Sequence, residues 1–319
     1  MVIRARSWGA PASCDIGFAG AMKGFSQAVE WADVVQYHFP WPFADLLHLL
    51  SGRRKPAVMT YHSDVVGKGW LGRAYRPLMM KTLRSMRAVV ATSPAYLESS
   101  VVLEDPVVRA RTSVIPLGIN EESYERARQE GDGIDVQATF GLPDNYVLFV
   151  GVLRPYKGLD FLIDAAKLAN VNLVIAGGGK EKKRLLERSG EFRNIYFVGP
   201  VSEPEKMALI GGCQALILSS HLRSEAFGMV LVEASMQAKA LVSCEISTGT
   251  TFVNLHGETG LTVPAGDPVA LATAMTTLSN DSELAVRMGL NARRRYEHLF
   301  SGEAQGAAYC ELYEHVVNS

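Results

Sequence analysis

Short apolar runs alternate with amphipathic segments in the first third of the chain, and this alternation predicts strands that are separated by helices. The apolar runs predict strands at 33–37, 56–61, 88–92 and 113–115, after a shorter candidate at 2–7. Apolar residues at helical spacing predict helices at 19–30, 44–50 and 70–86. Parallel strands joined by helices are the usual outcome of such a pattern. We therefore predict a small parallel sheet wrapped by helices.

The same alternation resumes after residue 145 and is more regular there. Strands are predicted at 146–150, 172–176, 194–198, 214–218 and 240–244. Helices are predicted at 158–169, 180–189, 203–211, from about 226 onward, and in a tail at 268–317. The pattern predicts a second, doubly wound α/β domain, in which ligands bind beyond the carboxyl ends of the strands.

A polar segment between these halves predicts the domain boundary. Four glycines and a proline lie among many charges there: Gly118, Gly131, Gly133, Gly141 and Pro143. The 319 residues suit two domains of ordinary size. We predict a first domain at 1–120, a linker at 121–145, a second domain at 146–300 and a final helix at 301–319.

The overall charge excludes some partners. The 32 Lys and Arg residues nearly balance the 33 Asp and Glu residues, so nothing draws the whole chain to nucleic acid. The four cysteines are scattered without a C-x-x-C pair, which predicts buried thiols in a reducing compartment, with neither disulfides nor zinc. No apolar run is long enough to span a bilayer, and no secretory signal is present. These features predict a cytoplasmic protein.

Two acids flank the start of the central predicted helix. Glu225 precedes that helix and Glu233 lies two turns inside it, so their backbones are roughly 12 Å apart along the axis. Free N–H groups at a helix start attract anions, so a diphosphate between the two acids is favoured. The alternative is an acid near a helix cap together with a solvated acid. Glu233 lies in the sequence V-L-V-E-A-S-M, however, where burial of an unpaired charge would be costly.

Two cations follow the strand at 146–150, in the sequence G-V-L-R-P-Y-K-G. Lys157 lies close to the start of the next helix, which is unfavourable for a cation unless an anion joins it. Arg154 stands three residues earlier. The loop is therefore a candidate phosphate site, and the alternative is a pair of ordinary surface cations.

The first half has its own candidate at a strand end. His62 follows the strand at 56–61, with Ser63 and Asp64 beside it, and is a candidate functional residue or a structural histidine. Asp64 is alternatively a helix cap. His38 and Trp41 either shape an acceptor pocket or belong to an aromatic cluster that packs beneath a turn.

Two glycine-containing turns could approach a ligand. The sequence I-S-T-G-T-T-F-V-N at 246–254 places Gly249 and Thr250 after a strand, where glycine permits close backbone contact with a ligand. A plain turn is the alternative. Residues 177–180, G-G-G-K, lack the spacing of a Walker motif or a dinucleotide fingerprint, so we predict only a tight turn that lines the cleft.

The helix predicted at 70–86 is basic and amphipathic. Residues 65–87 contain six cations and no acid: Lys68, Arg73, Arg76, Lys81, Arg84 and Arg87. Apolar residues lie broadly opposite at Leu71, Leu78, Met79 and Met86, and Trp70 lies alongside. This face is predicted either to rest on anionic lipid or hold a polyprenyl-diphosphate acceptor, or to be an ordinary solvated face.

The motifs together resemble a known family. The stretch Glu225-Ala226-Phe227-Gly228 through Glu233-Ala234 resembles the paired-glutamate signature of retaining glycosyltransferases of family 4, which have the GT-B fold. The sequence V-L-R-x-Y-K-G is similar to bacterial mannosyl- and rhamnosyltransferases of O-antigen assembly. The family pattern usually places its arginine directly after the glycine, where this chain has Val152, so Arg154 must reach from further on.

The resemblance implies two Rossmann-like domains that face a cleft and a last helix that crosses back to the first domain. It implies that Glu233 holds the ribose of a nucleotide sugar, while Glu225 and His62 lie beside the transferred sugar. Arg154 and Lys157 would neutralise the diphosphate, and Phe227, Gly228, Gly249 and Thr250 would complete the donor site. No metal or other cofactor is implied.

The function implied is transfer of a mannose- or rhamnose-like hexose from a nucleotide sugar, GDP-linked, to a growing glycan or lipid-linked saccharide, with retention at the anomeric carbon. Family members usually open with a strand and a glycine-rich loop. This chain starts at what resembles the second strand, so we expect a first domain shortened by roughly one βαβ unit. That leaves open a protein that only binds nucleotide sugars, or a different GT-B chemistry such as an epimerase or a phosphorylase.

Overall fold

The computed structural model describes residues 4, 7–9, 16–17, 19–65 and 69–319. These residues form two compact units, one of residues 1–116 with 306–319 and one of residues 117–305. Most of the strand predicted at 2–7 lies outside the described residues, as do Cys14 and Lys68. Within the described part of the chain, no helix is both long and apolar enough to cross a membrane.

The first unit is built on a parallel sheet in the order β3-β4-β5-β6. Its strands are β3 (Val35–Phe39), β4 (Ala57–Tyr61), β5 (Ala88–Ala91) and β6 (Thr112–Val114), after a short antiparallel pair, β1 (Ser7–Gly9) and β2 (Ile16–Gly17). Its helices are α1 (Ala19–Trp31), α2 (Pro42–Leu50), α3 (Gly69–Ser85), α4 (Pro94–Ser99) and α5 (Pro106–Arg109). Every residue of β4 and β5 is buried, because helices cover both faces of a parallel sheet.

The last helix, α15 (Gly302–Asn318), contributes its larger part, residues 306–319, to the first unit. Val316 packs in the same core cluster as Val58 and Val90. The hydroxyl of Tyr309 lies 2.7 Å from the hydroxyl of Thr60, so a buried polar contact accompanies the apolar packing. The end of the chain is therefore part of the first unit's core.

The second unit contains six parallel strands in the order β12-β11-β10-β7-β8-β9. The strands are β7 (Val147–Val150), β8 (Leu173–Ala176), β9 (Ile195–Gly199), β10 (Ala215–Leu218), β11 (Ala240–Glu245) and β12 (Gly260–Pro264). The helices are α6 (Glu122–Asp132), α7 (Val136–Phe140), α8 (Leu159–Ala169), α9 (Lys182–Ser189), α10 (Glu203–Gly212), α11 (Met229–Met236), α12 (Thr250–Val253), α13 (Pro268–Asn280) and α14 (Ser282–Arg295). The two parallel sheets confirm the predicted α/β class.

The strand order of the second unit reverses between β7 and β10. From β7 the sheet grows through β8 to β9, and from β10 it grows in the other direction through β11 to β12. The carboxyl ends of the two neighbours lead into residues 151–158 and 219–228. A crevice forms where the strand order of an open α/β sheet reverses, and ligands bind there.

The structure places residues 121–145, the predicted linker, within the second unit. Helices α6 and α7 fill this segment, and Val136 and Leu142 are buried in the unit's core. The glycines that suggested a boundary have local roles. Gly131 approaches the carbonyl oxygen of Pro204 so closely that a Cβ would lie 2.6 Å from it, and Gly141 ends α7 in the left-handed conformation.

Three further features differ from the prediction: the start of one helix, the division of the tail, and a strand that was not predicted. The central helix, α11, begins at Met229 rather than near residue 226, because Gly228 adopts a left-handed conformation with φ of 84°. The tail at 268–317 divides into α13, α14, a π-helical turn at Tyr296–Phe300 and α15. Strand β12 was not predicted, because its alternation is short and ends in Pro264.

Replacement of Gly158 tests the close approach of the two loops. Gly158 has φ of 68°, and a Cβ there would overlap the carbonyl oxygen of Ser219. We expect Gly158→Ala to lower the free energy of unfolding by about 3 kcal/mol, from left-handed strain plus displacement of the loop. The measurement is urea unfolding.

Gly141→Ala is the matched control, because Gly141 has φ of 65° and open space around its Cβ position. It should lose only about 1 kcal/mol. Equal losses in the two variants would contradict a close approach at Gly158.

Candidate active site

A cavity of about 490 Å³ lies at the reversal point of the second sheet. Its lining residues come from the loops after β7 and β10 and from helices α10 and α11: Val150, Gly151, Lys157, Lys206, Ser224, Glu225, Ala226, Phe227, Gly228, Met229, Val230 and Glu233. Other hollows of 520, 450 and 540 Å³ exist elsewhere, so volume alone does not distinguish this one. Two buried ion pairs on its wall distinguish it.

The first ion pair joins the two loops. The Lys157 ammonium contacts Oε2 of Glu225, and the two side chains are only 12% and 11% exposed. Ser220 donates its hydroxyl to the same carboxylate oxygen at 2.9 Å. Two more bonds tie the loops together, from the Ser219 hydroxyl to the Lys157 carbonyl and from the His221 amide to the Tyr156 carbonyl, at 2.8 and 3.0 Å.

The second ion pair joins two helices, and a third helix adds a hydroxyl to it. The Lys206 ammonium of α10 donates to Oε1 of Glu233 in α11 at 2.9 Å, with side chains 13% and 11% exposed. The hydroxyl of Tyr124 in α6 donates to the same oxygen at 3.1 Å. Burial raises the pKa of Tyr124, with the charge of Glu233 adding to it. Burial lowers the pKa of Lys206, but Glu203 and Glu233 raise it by more, so the net shift is upward.

Of the four residues predicted to complete the donor site, two line the cavity and two do not. Gly228 lines the cavity, and Phe227 does so while its ring packs edge-on against Phe300, with centroids 6.0 Å apart. Gly249 and Thr250 are not among the lining residues. The Gly249 amide instead donates to the Ala226 carbonyl at 2.8 Å, and Thr250 is 1% exposed. The turn at 249–250 therefore bonds to the segment before α11 without lining the cavity itself.

Arg154 does not join the cavity in the structure. Its side chain is exposed, and it is not among the lining residues. Of the predicted phosphate pair, the structure brings only Lys157 together with the two glutamates. The described residues contain no group of three His, Cys, Asp or Glu side chains placed to hold a metal ion.

The first unit carries a histidine pair at the carboxyl ends of β3 and β4. Nδ1 of His38 lies 2.8 Å from Nε2 of His62, and the two rings stack with centroids 5.1 Å apart. Burial, with the neighbouring His38 adding to its effect, lowers the pKa of His62 to about 4. Burial also lowers the pKa of His38. Both imidazoles are therefore neutral at pH 7.

Two further observations describe the surroundings of this pair. Oδ1 of Asp64 accepts hydrogen bonds from the hydroxyls of Tyr61 at 2.9 Å and Ser100 at 2.6 Å. Trp41 packs against Phe43, with ring centroids 6.1 Å apart, and Phe39 stacks on Tyr61 at 4.6 Å. The aromatic cluster is thus present, although Trp41 remains 38% exposed.

Helix α3 is basic on its exposed side, as predicted. Arg73, Arg76 and Lys81 are exposed, and Trp70 is 74% exposed. Arg84 differs, because Nη2 and Nε of its guanidinium both donate to Oδ2 of Asp105, at 2.6 and 3.2 Å. Leu71 also departs from the prediction, because it is 56% exposed rather than packed on the inner side.

Family comparison identifies the chain. The profile of the family described as "Glycosyl transferases group 1" matches residues 134–295, about half of the chain, and that of "Glycosyltransferase Family 4" matches residues 8–123. The chain is a glycosyltransferase of this family. The cavity with the two Lys–Glu pairs lies wholly within the region that the first profile covers.

The relatives of this glycosyltransferase extend over most of its length. It is 42% identical to D-rhamnosyltransferase WbpZ of Pseudomonas aeruginosa, over 89% of this chain and 74% of the relative. It is 39% identical to O-antigen chain mannosyltransferase C of Escherichia coli, over 94% of this chain and 80% of the relative.

Solved structures of similar shape establish the fold. Anabaena Alr3699/HepE in complex with UDP superposes with a TM-score of 0.76 at 21% identity, covering 93% of this chain and 82% of that one. Sucrose-phosphate synthase from Thermosynechococcus elongatus superposes with a TM-score of 0.74 at 21% identity, covering 98% and 82%. The glycosyltransferase has the GT-B fold, with two α/β domains built on parallel sheets.

Sequence reasoning missed two residues of the site, Lys206 and Tyr124. Each lies in a helix with polar neighbours, and its partner, Glu233, is 27 or 109 residues away. The local pattern around Lys206 gives only a capping box at Ser202, which marks the helix start. Nothing nearby in the sequence indicates that either residue reaches the cavity.

The histidine pair of the glycosyltransferase gives a pH prediction. In an NMR titration, the His62 imidazole should protonate only near pH 4, because burial and His38 disfavour its charged form. His38→Phe keeps an aromatic ring beside His62 and removes the neighbouring charge, so the His62 pKa should rise but stay below its ordinary value. A wild-type His62 that titrates above pH 6 would contradict the assigned burial.

Proposed function

We propose that this glycosyltransferase moves a mannose- or rhamnose-like hexose from a GDP-linked donor to a growing glycan or lipid-linked saccharide of O-antigen assembly, with retention at the anomeric carbon. The observation that carries the proposal is the pair of Lys–Glu contacts on one cavity wall, Lys157–Glu225 and Lys206–Glu233. Two relatives are named for rhamnosyl and mannosyl transfer, which supports the sugar class.

The chemistry of the donor fits this wall. Cleavage of the sugar–phosphate bond leaves negative charge on the diphosphate, and preorganised positive groups stabilise that charge. Lys157 is held in place by Glu225, so its ammonium needs no reorganisation as the bond breaks. In the proposed complex, Glu233 binds the ribose hydroxyls and Glu225 lies beside the transferred sugar. Transfer needs no divalent metal, since the lysines supply positive charge.

The proposal extends to the acceptor side. The exposed cations and Trp70 of α3 form a basic face that would hold anionic lipid or a polyprenyl-diphosphate acceptor at the inner face of the cell membrane. The exposed cations of α3 and its exposed Trp70 support this role. Acidic vesicles without protein partners are sufficient to test it.

Binding and product analysis test the donor and the stereochemistry. GDP at 100 times its dissociation constant should stabilise the fold by about 2.7 kcal/mol. UDP at the same concentration should stabilise it by less. Product NMR should show a glycosidic bond with the anomeric configuration of the donor, and EDTA should leave the rate unchanged. Nucleotide binding without transfer would instead favour a binding-only protein, and a free modified sugar would favour epimerase or phosphorylase chemistry.

Lys157→Met tests the leaving-group role. We expect kcat/KM to fall by about 100- to 1,000-fold, since one preorganised charge in such a site contributes about 2.7–4 kcal/mol. The variant should also be less stable by about 3 kcal/mol, because Glu225 remains buried without its partner. Adding Glu225→Gln should restore stability but not transfer.

Lys183→Met is the control for Lys157→Met, because Lys183 is an exposed lysine of helix α9. It should leave both the stability and kcat/KM unchanged. Recovery of transfer in the Lys157→Met/Glu225→Gln double variant would show that the lysine serves the fold alone and would overturn its proposed role.

Charge reversal tests the basic face. Arg73→Glu with Arg76→Glu should abolish most flotation of the protein with vesicles that contain anionic lipid, because each cation near such a surface contributes about 1 kcal/mol. The control pair, Arg193→Glu with Arg287→Glu, alters exposed arginines of the second unit and should float like the wild type. Equal flotation of the two variants would contradict the assignment of α3.

A further inference from the structure

The two glutamates of the cavity are held in the same way. At Glu225, the Lys157 ammonium and the Ser220 hydroxyl both bind Oε2. At Glu233, the Lys206 ammonium and the Tyr124 hydroxyl both bind Oε1. One lysine and one hydroxyl thus converge on a single oxygen of each carboxylate.

The second oxygen of each carboxylate has different surroundings. Among the described residues, no side chain donates a hydrogen bond to Oε1 of Glu225 or to Oε2 of Glu233. Both glutamates line the cavity, and both are 9% exposed. A carboxylate has about four lone-pair sites, so each of these oxygens retains its capacity to accept hydroxyl donors.

We propose that Ser220 and Tyr124 are positioning residues, which fix one oxygen of Glu225 and of Glu233 so that the other oxygen of each accepts hydroxyl groups of the nucleotide sugar. This inference rests on the proposed function and adds residues that the sequence motifs do not contain. A sugar or ribose presents vicinal hydroxyls, and a fixed carboxylate oxygen accepts them without paying for side-chain ordering.

The two residues have separable effects, because their glutamates serve different parts of the donor. Tyr124→Phe releases Glu233, which binds the nucleoside part in both the ground and the transition state. It should raise the dissociation constant of GDP and the KM of the donor about tenfold and leave kcat nearly unchanged. Ser220→Ala releases Glu225 beside the transferred sugar. It should lower kcat about tenfold and leave GDP binding unchanged.

Two controls lose a hydroxyl of the same kind within the second unit, at residues that do not line the cavity. Tyr296→Phe removes a buried bond to the Ile119 carbonyl, which is 3.0 Å long. Ser235→Ala removes a bond to the Leu231 carbonyl, which is 2.8 Å long. Both should change the unfolding midpoint without changing GDP affinity, KM or kcat. Ser220→Thr, which retains the hydroxyl, should recover part of the kcat lost in Ser220→Ala.

The measurements are calorimetric titration with GDP and steady-state transfer with the nucleotide sugar, on the full chain. Glu233→Gln separates failure of this inference from failure of the proposed function. If Glu233→Gln weakens GDP binding and Tyr124→Phe does not, the positioning role is overturned and the donor site stands. If neither variant changes GDP binding, the assignment of this cavity to the nucleotide fails with it. A kcat of Ser220→Ala equal to that of the wild type overturns the role of Ser220.

Discussion

The buried contact between Lys157 and Glu225 is the interaction on which the rest of the site depends. It links the loop after β7 to the loop after β10, two strands that are neighbours only because the strand order reverses between them. Two buried charges of this kind are costly to leave unpaired, by about 3–5 kcal/mol. Gly158 permits the close approach that the contact requires. The topology of the sheet and the chemistry of the wall are therefore set by the same pair of loops.

The charge balance of the cavity follows from this arrangement. Each carboxylate on the wall has a lysine partner, so both acids are held in place while the wall carries little net charge. A diphosphate that bound at this wall would contact lysines whose side chains are already ordered. The acids would at the same time offer acceptors for hydroxyls. One wall can therefore contact the anionic and the neutral parts of a nucleotide sugar.

The sequence predicted the residues of this site whose positions follow from their neighbours along the chain. Glu225 and Lys157 each follow a buried strand, and parallel strands end at one edge of a sheet, so a common crevice was predictable. Lys206 and Tyr124 were not, because their contacts with Glu233 depend on how α6 and α10 pack. Arg154 was predicted from its motif, but the exposed position of its side chain depends on the course of the loop. Gly228 similarly delays α11 through its backbone conformation.

The histidine pair of the first unit limits how the proposed reaction divides its charges. Burial lowers the pKa of His62 to about 4, so at pH 7 its imidazole is neutral and offers one hydrogen bond rather than a positive charge. A neutral ring can therefore orient a hydroxyl group but supplies no charge to a leaving diphosphate. In the proposed reaction, the positive charge that stabilises the diphosphate comes from the second unit. Lys157 is placed to supply it, because Glu225 holds that ammonium at the cavity wall.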